Sequence, residues 1–132
     1  MVTRVSLWGP VLAAMALIFW LSAQPALPAV PGGFTDKEAH ALVYGALAGL
    51  WYRASARGRW RGVTLARGVV AVVAATAYGV SDEWHQTFVA TRTADAADVL
   101  ADAIGAATAA TTIWACGIMA ARRQLRQADT SR

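Results

Sequence analysis

The chain has 132 residues, of which 57% are hydrophobic and only 15% charged, and its mean hydropathy is +0.40. A soluble domain usually carries about 25% charged residues, so the composition speaks against one and fits a small bundle of spanning helices. The 12 Lys and Arg exceed the 8 acids, but neither Arg53, Arg57, Arg59, Arg61 and Arg67 nor Arg122, Arg123 and Arg126 are interleaved with aromatics as on a nucleic-acid surface. Trp51, Tyr52 and Trp60 beside the first cluster suit a membrane interface instead. The single cysteine, Cys116, lies in an apolar run, so there is no disulfide framework.

The first predicted span covers about residues 5–23 without a charge, just reaching the roughly 20 residues that a crossing requires. A cleaved leader is the alternative for this segment, since Arg4 precedes it, but Ser22-Ala23-Gln24 matches a cleavage site poorly. Gln24 to Phe34 holds Pro25, Pro28, Pro31 and Gly32-Gly33 and reads as an irregular external loop. Thr35 with Glu38 forms the pattern of a capping box opening a second span, about 36–54. That helix crosses only if the polar residues around His40 lie inside it. Spans three and four follow at about 63–81 and 99–120, with Gly45, Gly49, Gly68, Gly79 and Gly105 offering small faces for close packing. The expectation is one all-α domain over residues 1–132, a polytopic bundle of four transmembrane helices.

Under this scheme Arg4, the Arg53–Arg67 loop and the Arg122–Arg126 tail fall on one side. The positive-inside rule makes that side, and both termini, cytoplasmic. Three polar sets then meet the opposite side: Asp36, Lys37, His40 and Tyr44; Asp82, Glu83, His85 and Gln86; and Asp95, Asp98 and Asp102 with Arg92 before them. His40 is 13 residues from Arg53, about 20 Å along a helix, which leaves it roughly 10 Å below the outer surface of a 30 Å core. Ionisable groups at such depth normally face a bundle interior or a wet cavity and carry function. Asp36, His40 and Tyr44 share one helix face, as do Tyr78, Asp82 and Gln86, and Asp95, Asp98 and Asp102 follow a similar stripe. The three stripes are expected to line one outward recess. The bland alternative is that Lys37 and Arg92 merely neutralise acids as buried ion pairs.

The ordered motifs resemble those of VanZ-like membrane proteins. Asp36-Lys37-Glu38-Ala39-His40-Ala41-Leu42-Val43-Tyr44 looks like that family's D-K-x-x-H-x-x-x-Y, and Asp82-Glu83-Trp84-His85-Gln86 is similar to its D-E-x-x-Q. Arg92 and the stretch from Asp98 to Gly105 complete a likeness covering about residues 34–110. One departure is Asp102, where the family usually has Asn. The resemblance implies a bacterial inner-membrane protein with a link to teicoplanin-type glycopeptide resistance.

Three functions follow as expectations. In the first, the recess binds or handles an anionic lipid headgroup or a lipid-linked cell-envelope precursor. Lys37 and Arg92 contact phosphate, Tyr44 and Gln86 give neutral hydrogen bonds, and Asp36, His40, Asp82, Glu83, Asp98 and Asp102 complete the substrate-binding set. In the second, the protein is a membrane-embedded hydrolase or transferase, with His40, Asp82 or Glu83 in acid–base roles, or with Asp82, His85 and His40 around a divalent metal. No HExxH, CxxC or nucleophile-elbow motif supports that reading, and His85 lies outside the family pattern. In the third, the polar stripes only specify helix packing in a membrane scaffold. The cofactor is left open by the sequence, and the expected partner is a membrane lipid or lipid-linked envelope precursor, not nucleic acid.

Overall fold

The computed structural model describes residues 2–25 and 33–130, apart from the side chains of Leu125 and residues 128–130, so most of the expected external loop lies outside the described residues. The described residues form four α-helices, α1 (Arg4–Ser22), α2 (Asp36–Ser55), α3 (Leu65–Gln86) and α4 (Ala96–Thr130), with a 3-10 turn at Trp60–Gly62. Each start has a local cause. Thr3 and Thr64 cap α1 and α3 through their hydroxyls, and Thr35 and Glu38 form the reciprocal capping box at α2. Asp95 accepts from the Ala97 amide at 2.8 Å, closing the first turn of α4.

Three of the helices are long and apolar enough to cross a membrane: α1, α3 and the Ala96–Gln124 part of α4. The expected fourth span, α2, falls short because Asp36, Lys37, Glu38 and His40 fill its first turns and Arg53 its last. Large apolar side chains point outward on every helix, among them Leu12, Leu17 and Phe19, Leu42, Val69, Val73 and Val80, and Leu100 and Ile104. A water-soluble monomer rarely exposes so continuous an apolar surface, whereas a lipid-facing bundle must. The chain is a multi-pass membrane protein.

Alternating helix directions make α1 parallel to α3 and α2 parallel to α4. Met15 O accepts from Tyr78 Oη at 2.7 Å, and Ser22 Oγ donates to Asp82 at 2.6 Å, which register α1 on α3. The α2–α4 seam is the tightest. A Cβ at Gly105 would overlap the Ala41 carbonyl, and one at Gly45 would meet the Gly105 carbonyl oxygen at 3.0 Å. Glycine lets these backbones touch, and close packing between small residues is what drives association where the solvent is itself apolar. Leu7, Val11 and Ile18 of α1 pack with Tyr44, Leu47 and Ala48 of α2, Ala75 of α3 and Ala106 of α4 in the core.

This arrangement brings the C-terminal end of α1, the N-terminal ends of α2 and α4 and the C-terminal end of α3 to one end of the bundle. At the other end Arg53 donates to the Ser6 carbonyl, and Tyr52 Oη to the Thr64 carbonyl at 2.7 Å.

The seam yields a prediction. Gly105→Ala should cost about 1–3 kcal/mol, because the obstructing atoms are backbone and cannot step aside. Gly49→Ala meets only Ile113 Cδ1, at 3.7 Å, and should be close to neutral. Paired thermal melts in detergent check the contrast; equal effects at both positions would contradict the close-approach account.

Candidate functional site

The polar end holds two linked networks. The first joins α2 to α4. Lys37 Nζ bridges Asp95 Oδ2, at 2.5 Å, and Asp98 Oδ1. One turn further in, His40 Nδ1 lies 3.0 Å from Asp102 Oδ1, and its Nε2 lies 3.9 Å from Asp98 Oδ2. The pairs work because α2 and α4 run parallel: Lys37 and His40 repeat along one face at nearly the step of Asp98 and Asp102 along the other. Asp102 is fully buried and Asp98 is 7% exposed, so both need partners.

The second network joins α3 to α1 and to the α3–α4 loop. Asp82 Oδ1 accepts from Ser22 and its Oδ2 from Gln86 Nε2, at 3.2 Å. Gln86 also donates to Glu83 Oε1 at 3.0 Å, while Glu83 Oε2 accepts the Asp95 amide at 2.8 Å. Glu83 thus ties the end of α3 to the start of α4. The two networks lie within electrostatic reach, since Asp82 and Asp98 both act on Asp102, and Asp98 and His40 act on Glu83.

The expected site residues therefore divide by what they are free to do. Asp82, Glu83 and Gln86 are engaged with one another, with Ser22 and with the loop backbone, and each carboxylate oxygen of the two acids accepts one hydrogen bond. Gln86 Nε2 donates to both acids. Tyr44 is 2% exposed and stacks near-parallel to His40, with ring centroids 6.0 Å apart. Its hydroxyl, like Asp102 Oδ2, makes no hydrogen bond of good geometry among the described residues. Both lie against Gly79, where a Cβ would overlap Asp102 Oδ2 and come within 3.3 Å of Tyr44 Cε1. Outside the spans, the Lys37 ammonium and then the Ala97 amide hold the Asp95 carboxyl below the usual carboxylate range. That contact persists at neutral pH and is lost as pH falls through the lowered range.

Two expectations are corrected. Asp82, His85 and His40 do not converge as metal ligands. His85 stacks on Phe19 at 4.3 Å, and the ligand atoms that do come together, within 4.8 Å of one another, belong to Asp36, His40 and Asp98. The idea that Lys37 and Arg92 both serve as ion pairs holds for Lys37 alone. Arg92 Nε donates to the Gln24 carbonyl at 3.2 Å, and its Nη2 is buried without a partner among the described residues. Ser22 was not anticipated, because a serine at the end of an apolar segment carries no signal of a partner 60 residues away. Asp95 was seen only as part of a stripe; its place before an apolar run was the available capping signal.

His40 and Asp102 form the most organised pair. With Asp102 ionised, His40 Nδ1–H donates to it, which orients the ring and turns Nε2 toward Asp98. Asp102→Ala should cost about 1–3 kcal/mol by leaving a half-buried imidazole unpaired. Asp102→Asn should retain most of that stability, since an amide oxygen accepts the same hydrogen bond. Thermal melts decide: equal losses in the two variants would mean that the charge, not the hydrogen bond, holds the pair.

The comparisons with known proteins bear on the family alone. A search of curated proteins and a search of solved structures return no match. The family model described as VanZ/LLP1 matches residues 7–119, a stretch that takes in α2 and α3 whole, most of α1, the first two thirds of α4 and every residue of both networks. The chain belongs to the VanZ/LLP1 family.

Proposed function

We propose that the polar end of the bundle is an outward-facing recess that binds an anionic lipid headgroup or a lipid-linked cell-envelope precursor, in the service of teicoplanin-type glycopeptide resistance. The observation that carries this reading is the state of Arg92. Lys37 is saturated by Asp95 and Asp98, but among the described residues the Arg92 guanidinium donates to one carbonyl and keeps a buried Nη2 with no partner. A buried cationic donor without an acceptor is costly, and a phosphate supplies the acceptor in the bidentate form that suits a guanidinium. Lys37 becomes a positioning residue for the carboxylates, not a phosphate contact. The arginines support the orientation: Arg4, Arg53–Arg67 and Arg122–Arg126 lie toward the end of the bundle away from the recess, which favours a cytoplasmic placement for that end and four crossings in all.

The oriented His40–Asp102 pair favours a second reading, in which the same lipid is cleaved or its headgroup transferred with His40 Nε2 as general base. Release of a water-soluble headgroup by the purified protein, lost in His40→Gln, would select this reading over binding alone.

Two predictions follow from the recess. Arg92→Lys should weaken anionic-lipid retention about tenfold, since a single ammonium replaces a bidentate contact, while leaving the melting temperature within a few degrees of the parent. Native mass spectrometry of the lipid-bound protein, run beside a thermal melt, tests this; Arg92→Ala that keeps its lipid and loses only stability contradicts the anchor role. For orientation, in a Cys116→Ala background, an impermeant thiol reagent should label Thr93→Cys in intact cells and Ser55→Cys only after lysis. Labelling of Ser55→Cys from outside would reverse the topology.

A further inference from the structure

The acids at the polar end outnumber its permanent cations: Asp36, Asp82, Glu83, Asp95, Asp98 and Asp102 stand against Lys37 and Arg92. Lys37 satisfies Asp95 and one oxygen of Asp98, and Ser22, Gln86 and the Asp95 amide satisfy Asp82 and Glu83. Apart from Asp102 Oδ2, which lies against Gly79 with no partner among the described residues, what remains is concentrated in one place. Asp98 Oδ2, on a residue 7% exposed, faces His40 Nε2 across 3.9 Å, too far for a hydrogen bond. The other ring nitrogen, Nδ1, is engaged by the buried Asp102 at 3.0 Å, so Nε2 is the ring nitrogen left on the side of that oxygen. An imidazole nitrogen and a carboxylate oxygen, each able to ligate a cation, thus face each other across a gap that no other side chain among the described residues is seen to bridge. Asp36, exposed and one helical turn before His40, brings a third ligand atom within 4.8 Å of the other two, and it has no hydrogen-bond partner among the described residues.

We infer that Asp36, His40 and Asp98 form a divalent-cation site whose open coordination positions take phosphate oxygens of the bound headgroup. The 3.9 Å gap is below the separation of about 4.3 Å that two ligands at metal–imidazole and metal–carboxylate bond lengths span at most. Asp102 is the partner that a metal-bound histidine ordinarily has: a carboxylate on its other ring nitrogen, fixing orientation and raising basicity. Lys37 does not compete, because it engages Asp98 through Oδ1 and leaves Oδ2 open. Two carboxylates and one imidazole, with no thiolate, suit Mn2+ or Zn2+. The cation converts an acidic wall, which by itself repels phosphate, into one that binds it. That last step rests on the headgroup reading; the metal site does not.

The test separates the two. Purified full-length protein in detergent, free of added lipid, is titrated with MnCl2 and with ZnCl2. At least one ion should bind one-to-one and weaken about tenfold or more in Asp36→Asn, a variant at an exposed position that leaves the fold and the melting temperature unchanged. The electron-spin-echo modulation of bound Mn2+ should show a directly coordinated imidazole nitrogen that disappears in His40→Gln. Absence of stoichiometric binding by either ion, or equal binding by parent and Asp36→Asn, overturns the site and leaves the Arg92 experiment standing. If the ion binds as expected, anionic phosphatidylglycerol should tighten it and zwitterionic phosphatidylcholine tighten it less. Equal effects of the two lipids would refute the phosphate bridge while the cation site stands.

Discussion

A carboxylate with no solvent exposure, Asp102, sits where α2, α3 and α4 meet. One oxygen holds His40 and the other lies against Gly79 and the Tyr44 ring. Burying a charge in an apolar bundle is tolerable only when partners are built around it, and a large part of the polar end can be read as that set of partners. Glycine at 79 leaves the room, glycine at 105 brings α4 close enough to α2 for His40 to reach, and the parallel register of the two helices places Lys37 over Asp98. Removing any of these would leave the others unsatisfied. The polar end is therefore a coupled unit, and single substitutions there should rarely act independently.

The division of labour between the two permanent cations follows from the same geometry. Lys37, at the mouth of the α2–α4 seam, is caught between two carboxylates and acts as a clamp. Arg92 hangs from the α3–α4 loop, outside that seam, and has a backbone carbonyl where a counter-ion would be expected. The networks are thus acidic where the helices meet and cationic at the loop. In the proposed recess this polarity suits a ligand that presents phosphate to Arg92 and, through a metal ion, to Asp36, His40 and Asp98.

Much of this was legible in the sequence, and the failures have physical causes. Helical spacing placed Asp36, His40 and Tyr44 on one face and Asp98 and Asp102 on another, since a 3.6-residue repeat carries that information. The capping box at Thr35 and Glu38 was equally readable, being a local interaction. The partners were not. Lys37 and Arg92 look alike as lone cations among acids, and only the parallel packing of α2 on α4 decides that Lys37 meets Asp98. His85 qualifies as a ligand by residue type alone and reads more readily as an interfacial histidine, and its position on α3 stacks it on Phe19 of α1. The shortfall of α2 in hydropathy has the same root as its function: the residues that build the site are those that make it a poor span.

The central claim, that Arg92 is held free for a phosphate, is tested most directly by solid-state NMR of the protein in phosphatidylglycerol bilayers. With 15N-arginine, the dephasing of guanidinium nitrogens by lipid 31P is compared between the parent and Arg92→Lys. The account predicts a strongly dephased guanidinium signal in the parent, corresponding to direct hydrogen-bond contact, that is missing from the variant. Identical dephasing in the two proteins would show that Arg92 touches no phosphate and would contradict the account.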